Sequence, residues 1–268
     1  MATLAIWKGS INFGLVSIPV QLYSAVQPHV IGFKMLHSAC NTPIANKRWC
    51  PHCNKEITWE EIVKGLKLPD GTYFVITKEN LQKLRPEKTD TIEVVEFVDT
   101  RTVPPVYYDQ HYFVIPQKST NKAFFLLAAA LKEREQSAVA QFVLRDKDYI
   151  CLLQPYESGL LMTTLHYDYE IKHLDLFDKL KVPAKLDKQE LKLAELLMSK
   201  LHKKKFDISH FKDTFAVRLA KAIKLKQKGK RVKIKVAKPA TAPEISLMDA
   251  LRASLHQHEK TPSIHRHH

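Results

Sequence analysis

The stretch IWKGSINFGLVSIPVQLYSA, residues 6–25, is the one whose reading decides the fold. Apolar residues alternate with polar or small ones from Ile6 to Phe13, the two-residue period of a half-buried strand, and Gly9 and Gly14 permit bends. Val16, Ile18, Val20 and Leu22 alternate in the same way directly afterwards. Pro19 falls inside that second run and predicts an edge position or a bulge there, because proline donates no ladder hydrogen bond. Two strands joined by a short turn are expected to seed a β-barrel, and the chain reads as α+β, mainly β.

Working outward, residues 26–57 carry few periodic apolar positions. Thr58 as a cap, Glu60 and Glu61 in a first turn and Gly65 as a stop predict a short helix over 58–65. Asp70-Gly71 predicts a turn, Tyr73, Val75 and Thr77 a strand, and Lys78 to Arg85 a helix of about two turns ended by Pro86. Strands are expected over 91–98 and 111–115, then a helix capped by Ser119 or Thr120 and running to about Glu135. Three further short strands, 138–144, 149–153 and 160–166, complete the pattern of a barrel or sandwich.

From Asp187 the periodicity becomes helical. Asp187 and Glu190 have the form of a capping box, and Leu191, Ala194, Leu197, Met198 and Leu201 form one stripe. A second helix is expected from about Ser209 to Gly229, and a third, amphipathic one over 246–255 with Leu247, Leu251 and Leu255 on one face. The expected organisation is therefore a barrel domain over 1–180, a helical arm over 181–229 and a basic flexible tail over 230–268.

The formal net charge is +14, and its location matters more than its size. Residues 1–199 carry 24 basic and 23 acidic side chains, whereas residues 200–238 carry 15 basic and two acidic. The runs His202 to Lys205 and Lys224 to Lys238, with Lys228, Lys230, Arg231, Lys233 and Lys235, point to a polyanion rather than to an ordinary solvated tail. No signal peptide or membrane-spanning apolar run is evident, so a cytoplasmic protein is expected.

Four cysteines are present. Three of them fall in His37-x2-Cys40-x9-Cys50-x2-Cys53, two short-spaced pairs that suit a tetrahedral metal, and a structural zinc over 37–53 is the expected cofactor. The bland alternative is reduced cysteines serving as small apolar residues, with His37 incidental. Catalytic readings are weaker. His166 with Asp168, or Cys151 with any histidine, lack a spacing that brings them together; Cys151 lies in an apolar strand; and seven glycines leave little scope for a phosphate-cradling loop. No enzyme activity is expected.

Trp7, Gly9, Phe13, Gly14, Leu15, Val16, Ile18, Pro19, Val20, Leu22 and Tyr23 match a WxGxxxFGLVxIPVxLY pattern that resembles the opening of the bacterial Ku family. The likeness continues through EIVKG (61–65), DGTYFVITKENLQKLRP (70–86) and YYDQHYFVIP (107–116). It implies a β-barrel with a bridging arm, two copies of which form a ring around duplex DNA. The resemblance also implies loading at DNA ends without sequence preference, and recruitment of an ATP-dependent DNA ligase in non-homologous end joining. On that basis Lys47, Arg48, Lys55, Lys83, Arg85 and Lys88 are placed on the DNA-facing lining, Arg145 on the barrel cradle, and Leu247, Leu251 and Leu255 at the ligase contact. The alternatives are a metal-dependent DNA-processing nuclease and a general nucleic-acid binder acting through its tail.

Overall fold

Alternating apolar residues can be buried on one face only if the strand that carries them is paired and its sheet is curled or covered. The computed structural model, which describes residues 4–28, 31–86, 89–118, 121–177, 187–229 and 246–259, meets that demand by closing the sheet on itself. Strands β1 (Trp7–Phe13) and β2 (Val16–Ser24) form the expected hairpin, with Ile11 opposite Ile18. The short strands β3 (Trp49–Cys50) and β4 (Lys55–Glu56) pair with each other, as do β5 (Lys64–Lys67) and β6 (Tyr73–Ile76). Helix α1 (Lys78–Lys83) precedes β7 (Thr91–Asp99) and β8 (Tyr108–Pro116); helix α2 (Lys122–Glu133) precedes β9 (Gln136–Leu144), β10 (Lys147–Tyr156) and β11 (Gly159–Leu165).

The barrel runs β1-β2-β8-β11-β10-β9-β7 and is closed by β7 lying parallel to β1, Ser10 beside Thr91. Closure leaves this sheet without a free edge. Its core holds Ile11, Ile18, Val20, Leu22, Ile92, Val114, Phe142, Leu153 and Met162, and α2 contributes Phe124, Leu127 and Leu131. Trp7 packs edge-on against Phe142, ring centroids 6.3 Å apart. Buried polar side chains are paired: the Thr163 hydroxyl lies 2.9 Å from His111 Nδ1, and the Ser137 hydroxyl 2.7 Å from that of Thr100.

Four sequence expectations are corrected. Pro19 is not on an edge strand, because β2 has β1 on one side and β8 on the other; it is tolerated because the β8 ladder begins only at Val20, and the Pro19 carbonyl accepts from Gln117 N–H at 3.0 Å. No helix forms over 58–65. The Thr58 N–H does donate to Glu61 Oε2 at 2.8 Å, but Lys64–Lys67 is drawn into the ribbon with β6, which leaves too few residues to extend a helical nucleus. The cap of α2 is Asn121, whose side chain accepts from Phe124 N–H at 3.2 Å; Ser119 and Thr120 lie outside the described residues.

The second unit, Leu174–His268, is helical where described. Helix α3 (Lys188–Leu201) is capped by Asp187, as its box predicts. The fourth correction falls in α4 (Thr214–Gln227), which starts at the Asp213 cap rather than near Ser209, since Ile208–His210 is a separate 3-10 turn. Gly229 ends it at φ 70. Helix α5 (Leu247–Glu259) packs on α3 and buries Leu255. No helix among the described residues is long and apolar enough to cross a membrane.

Candidate nucleic-acid interface

The excursion between β2 and β7 differs from the barrel in one measurable way: among its described residues, none between Leu22 and Ile92 is buried. Yet it is not polar. Phe33, Trp49, Trp59, Leu66, Tyr73 and Phe74 are all more than half exposed, Trp59 at 66% and Tyr73 at 65%. Two-stranded ribbons are marginal in water without a packed face, so this arm presents surface that suits burial by something outside it.

Most of the basic residues singled out from the sequence lie here, and several hold local partners. Lys47 Nζ is 2.8 Å from Glu56 Oε2, and Lys55 Nζ 2.8 Å from Glu61 Oε1. In each case the carboxylate's hydrogen bond and charge hold the ammonium above its usual pKa, so both lysines stay cationic. Exposed pairs of this type contribute only about 0–1 kcal/mol, so a phosphate can take over either lysine at little cost. Arg48 lays its guanidinium over the Trp59 ring, 3.5 Å from the centroid, a cation–π contact that leaves the charge in place on an exposed side chain.

Lys83 is exposed in the last turn of α1. Arg85 reaches across the sequence to Asp146 Oδ2 at 2.6 Å, tying the arm's return to the β9–β10 turn. Arg145, at φ 52 in that turn, is exposed beside it. The structure thus brings Arg85 and Arg145 to one corner of the barrel unit. Lys88, Lys230, Arg231, Lys233 and Lys235 lie outside the described residues.

Lys64, Lys67 and Lys221 were not singled out from the sequence. Lys64 and Lys67 stand exposed on β5. In the helical unit, Lys221, Lys224 and Lys228 follow each other along α4 and, with Val217, Ala220 and Leu225, line a shallow groove of about 420 Å³. Spacings of three and four residues put them on one face, a signal present in the sequence but masked there by the surrounding lysines.

The residues proposed for metal binding form two pairs. His37 Nδ1 lies 3.2 Å from Cys40 Sγ, and the Cys53 N–H donates to Cys50 Sγ at 3.5 Å. Among the described residues no three His, Cys, Asp or Glu side chains are gathered closely enough to hold a metal ion. Hydrogen bonding from Cys53 lowers the Cys50 thiol pKa while proximity to Cys50 raises that of Cys53, so the pair favours one thiolate over two. Burial pushes the Cys151 thiol far up. Hydrogen bonds from Thr42 lower the Cys40 thiol too, so in chelator-treated protein alkylation near neutral pH is expected to reach Cys40 and Cys50 before Cys53, with Cys151 modified only on unfolding; peptide mapping with time reads the order. Rapid native labelling of Cys151 would contradict the barrel packing.

At the candidate ligase contact, Leu247 is exposed, Leu251 half-buried and Leu255 buried. Leu255 is thus not available to a partner's surface. His166 Nδ1 and Glu170 Oε2 are 3.7 Å apart, and Asp168 accepts from the Tyr107 hydroxyl at 3.0 Å. Neither arrangement places a nucleophile beside a base.

Comparison with known proteins accords with this architecture. The family model described as the Ku70/Ku80 β-barrel domain matches residues 12–193. The non-homologous end joining protein Ku of Heliobacterium modesticaldum is 34% identical over 261 residues, covering 96% of this chain and 93% of that protein. Its namesake in Archaeoglobus fulgidus is 34% identical over 256 residues, covering 94% and 98%. That of Bacillus subtilis is 32% identical over 251 residues, covering 93% and 80%. With a closed seven-stranded barrel, the family model across most of the chain and relatives matched almost end to end, this chain belongs to the prokaryotic Ku family of non-homologous end joining.

Proposed function

We propose that two copies of this chain join into a ring that encloses duplex DNA, loads at broken ends and recruits an ATP-dependent DNA ligase during double-strand break repair. The observation that carries the ring is the arm, a segment with no buried side chain among its described residues and with several exposed aromatics. A second copy, related by a two-fold axis, would bury the same patch on both chains and give the ribbon the packed face it lacks. Exposed apolar side chains in the helical unit, among them Phe206, Phe211, Phe215 and Met198, support an assembly larger than one chain.

Enclosure explains end preference without base contacts or chemistry on the terminus. Lys47, Arg48, Lys55, Lys83, Arg85 and Arg145, with Lys64 and Lys67, are proposed to meet phosphates, which fix position and carry no sequence information. The segment 230–268 is proposed as a separate basic arm that raises the local concentration of protein on DNA. Leu247 and Leu251 on α5 are the proposed apolar part of the ligase contact, Leu255 being buried. No catalytic step is proposed for the chain itself.

The test compares linear duplex with a covalently closed circle of the same sequence at moderate salt. Tight retention on the linear form, little on the circle and intact DNA after incubation with divalent metal are expected. Equal affinity for the two would overturn enclosure. Truncation after Gly229 is expected to weaken end binding without abolishing it; complete loss would leave the tail as the sole binding element.

A further inference from the structure

The barrel uses only part of the apolar surface of α2. Phe124, Leu127 and Leu131 enter the core, yet Leu126 is 65% exposed. Ala123, Leu126, Leu127, Ala130, Leu131 and Arg134, three and four positions apart, form one wall of a groove of about 710 Å³. The wall follows α2 for its full length, about 16 Å. Phe13 and Val16, on either side of the β1–β2 turn, and Phe97 of β7 form the facing wall. Phe97 is 46% exposed, and Leu15, between Phe13 and Val16, is wholly exposed. An open apolar hollow of this size marks a binding surface, which scattered single leucines do not.

The charge of the groove has one sign. Arg134, at the C-terminal cap of α2, is the charged residue among those described that line it. Its Nε donates to Gln136 Oε1 at 3.0 Å, and Gln136 lines the same end, so the guanidinium is held at that end of the groove. The adjacent Glu135 is engaged elsewhere, its Oε2 2.8 Å from Arg101. Lys122, next to Ala123, stands exposed at the opposite end. Among the described residues neither Lys122 nor Arg134 has a carboxylate within reach. An apolar trough that ends in an unpaired guanidinium suits a segment carrying both apolar side chains and a carboxylate, and it repels a basic one. A phosphate backbone would leave the apolar walls uncovered.

We propose that this groove docks an amphipathic helix of a partner protein, apolar along one stripe and acidic in its first turn. The helix lies antiparallel to α2, so its N-terminal acids meet Arg134 while its stripe settles between Leu126 and Phe97. That orientation also sets the positive end of the incoming helix against the negative C-terminal end of α2. About three turns span the groove, with anchors at i, i+3 or i+4, and i+7. Ala123 and Ala130 carry no more than a methyl group, which lets the incoming backbone come close to α2. With Nε committed to Gln136, both terminal nitrogens of Arg134 are left for one carboxylate. The contact uses none of the residues proposed to meet phosphate, so a partner can be held while DNA is enclosed.

The probe is a displayed library of random peptides of about 16 residues, long enough for three turns and their ends, selected on the full-length chain. Selected peptides are expected to share an apolar stripe at helical spacing and acids in the first turn. Their affinity should fall roughly tenfold or more on Leu126→Glu and on Arg134→Glu. Lysine in place of the peptide's acids should restore binding to Arg134→Glu and to no other form. Both substituted side chains are exposed, and thermal melting verifies that each variant folds. Retention of linear duplex by both variants is expected to equal that of wild type, which keeps this test separate from the test of enclosure. The proposal is overturned if no peptide is enriched over the Leu126→Glu chain, or if the enriched peptides are basic or indifferent to Arg134→Glu. It is equally overturned if Leu126→Glu lowers the number of chains per particle in sedimentation, since the groove would then be a contact between copies.

Discussion

Gly9→Val is expected to destabilise the barrel by about 3–4 kcal/mol, through overpacking and the loss of one backbone hydrogen bond at the closure. Gly9 lies in β1 where the sheet closes, and a Cβ built on it would fall on the Asp90 carbonyl oxygen and on the Trp7 indole. The same carbonyl accepts from Ser10 N–H at 2.9 Å, the first link between β1 and the approach to β7. A side chain here therefore pushes apart the two strands that join the ends of the sheet and displaces Trp7 from Phe142. For a domain of this size the loss corresponds to a fall in Tm of roughly 6–16 °C, measured by thermal melting of purified protein. Gly14→Ala provides the contrast. Gly14 has φ 56 with nothing within 4 Å of its Cβ position, so the substitution costs only the local strain of a left-handed residue, about 1 kcal/mol. A Gly9 variant as stable as wild type would mean that β1 and β7 do not close the barrel.

DNA-end affinity is expected to collapse with salt. If six to ten cations per ring neutralise phosphates, raising monovalent salt from about 50 to 200 mM should weaken binding by roughly 10³–10⁵-fold, with a log–log slope near −0.9 per phosphate contact. The substitutions Lys221→Ala, Lys224→Ala and Lys228→Ala, combined, are expected to flatten that slope by about 2–3, since all three lie along one groove of α4. Lys47→Ala and Lys55→Ala should each flatten it by less than one, because each lysine gives up a carboxylate partner to bind DNA. An affinity insensitive to salt would remove phosphate contacts as the source of binding.

The parts of this fold that were legible from sequence are those fixed by periodicity. The alternation from Ile6 to Leu22 states which side of each strand is buried, and Ile11, Ile18, Val20 and Leu22 are indeed fully buried. The Asp187 cap and the Asp70-Gly71 turn were equally readable, because a cap or a tight turn is settled by a few neighbouring residues. What sequence could not supply was competition over distance. Thr58 and Glu61 make the contact of a helix start, but Lys64–Lys67 is captured by Tyr73–Ile76, and only the tertiary pairing decides between them. Likewise the ion pair of Arg85 with Asp146 spans 61 positions, so no local pattern shows that this arginine also ties the arm to the barrel. The basic set was found by residue type, while which members carry a carboxylate companion emerged only from the fold.

The route by which the chain enters and leaves its arm has an evolutionary reading. β2 ends beside the start of β1 and β7 begins on its other side beside Ser10, midway along it, so the long detour departs and returns on the two flanks of one strand of a finished wall. Such a graft point lets the inserted length drift while the wall stays the same, since doubling a flexible loop costs only about 0.6 kcal/mol. The stretch from 26 to 90 is accordingly the part of the chain whose length can change at least cost to the vessel from which it departs.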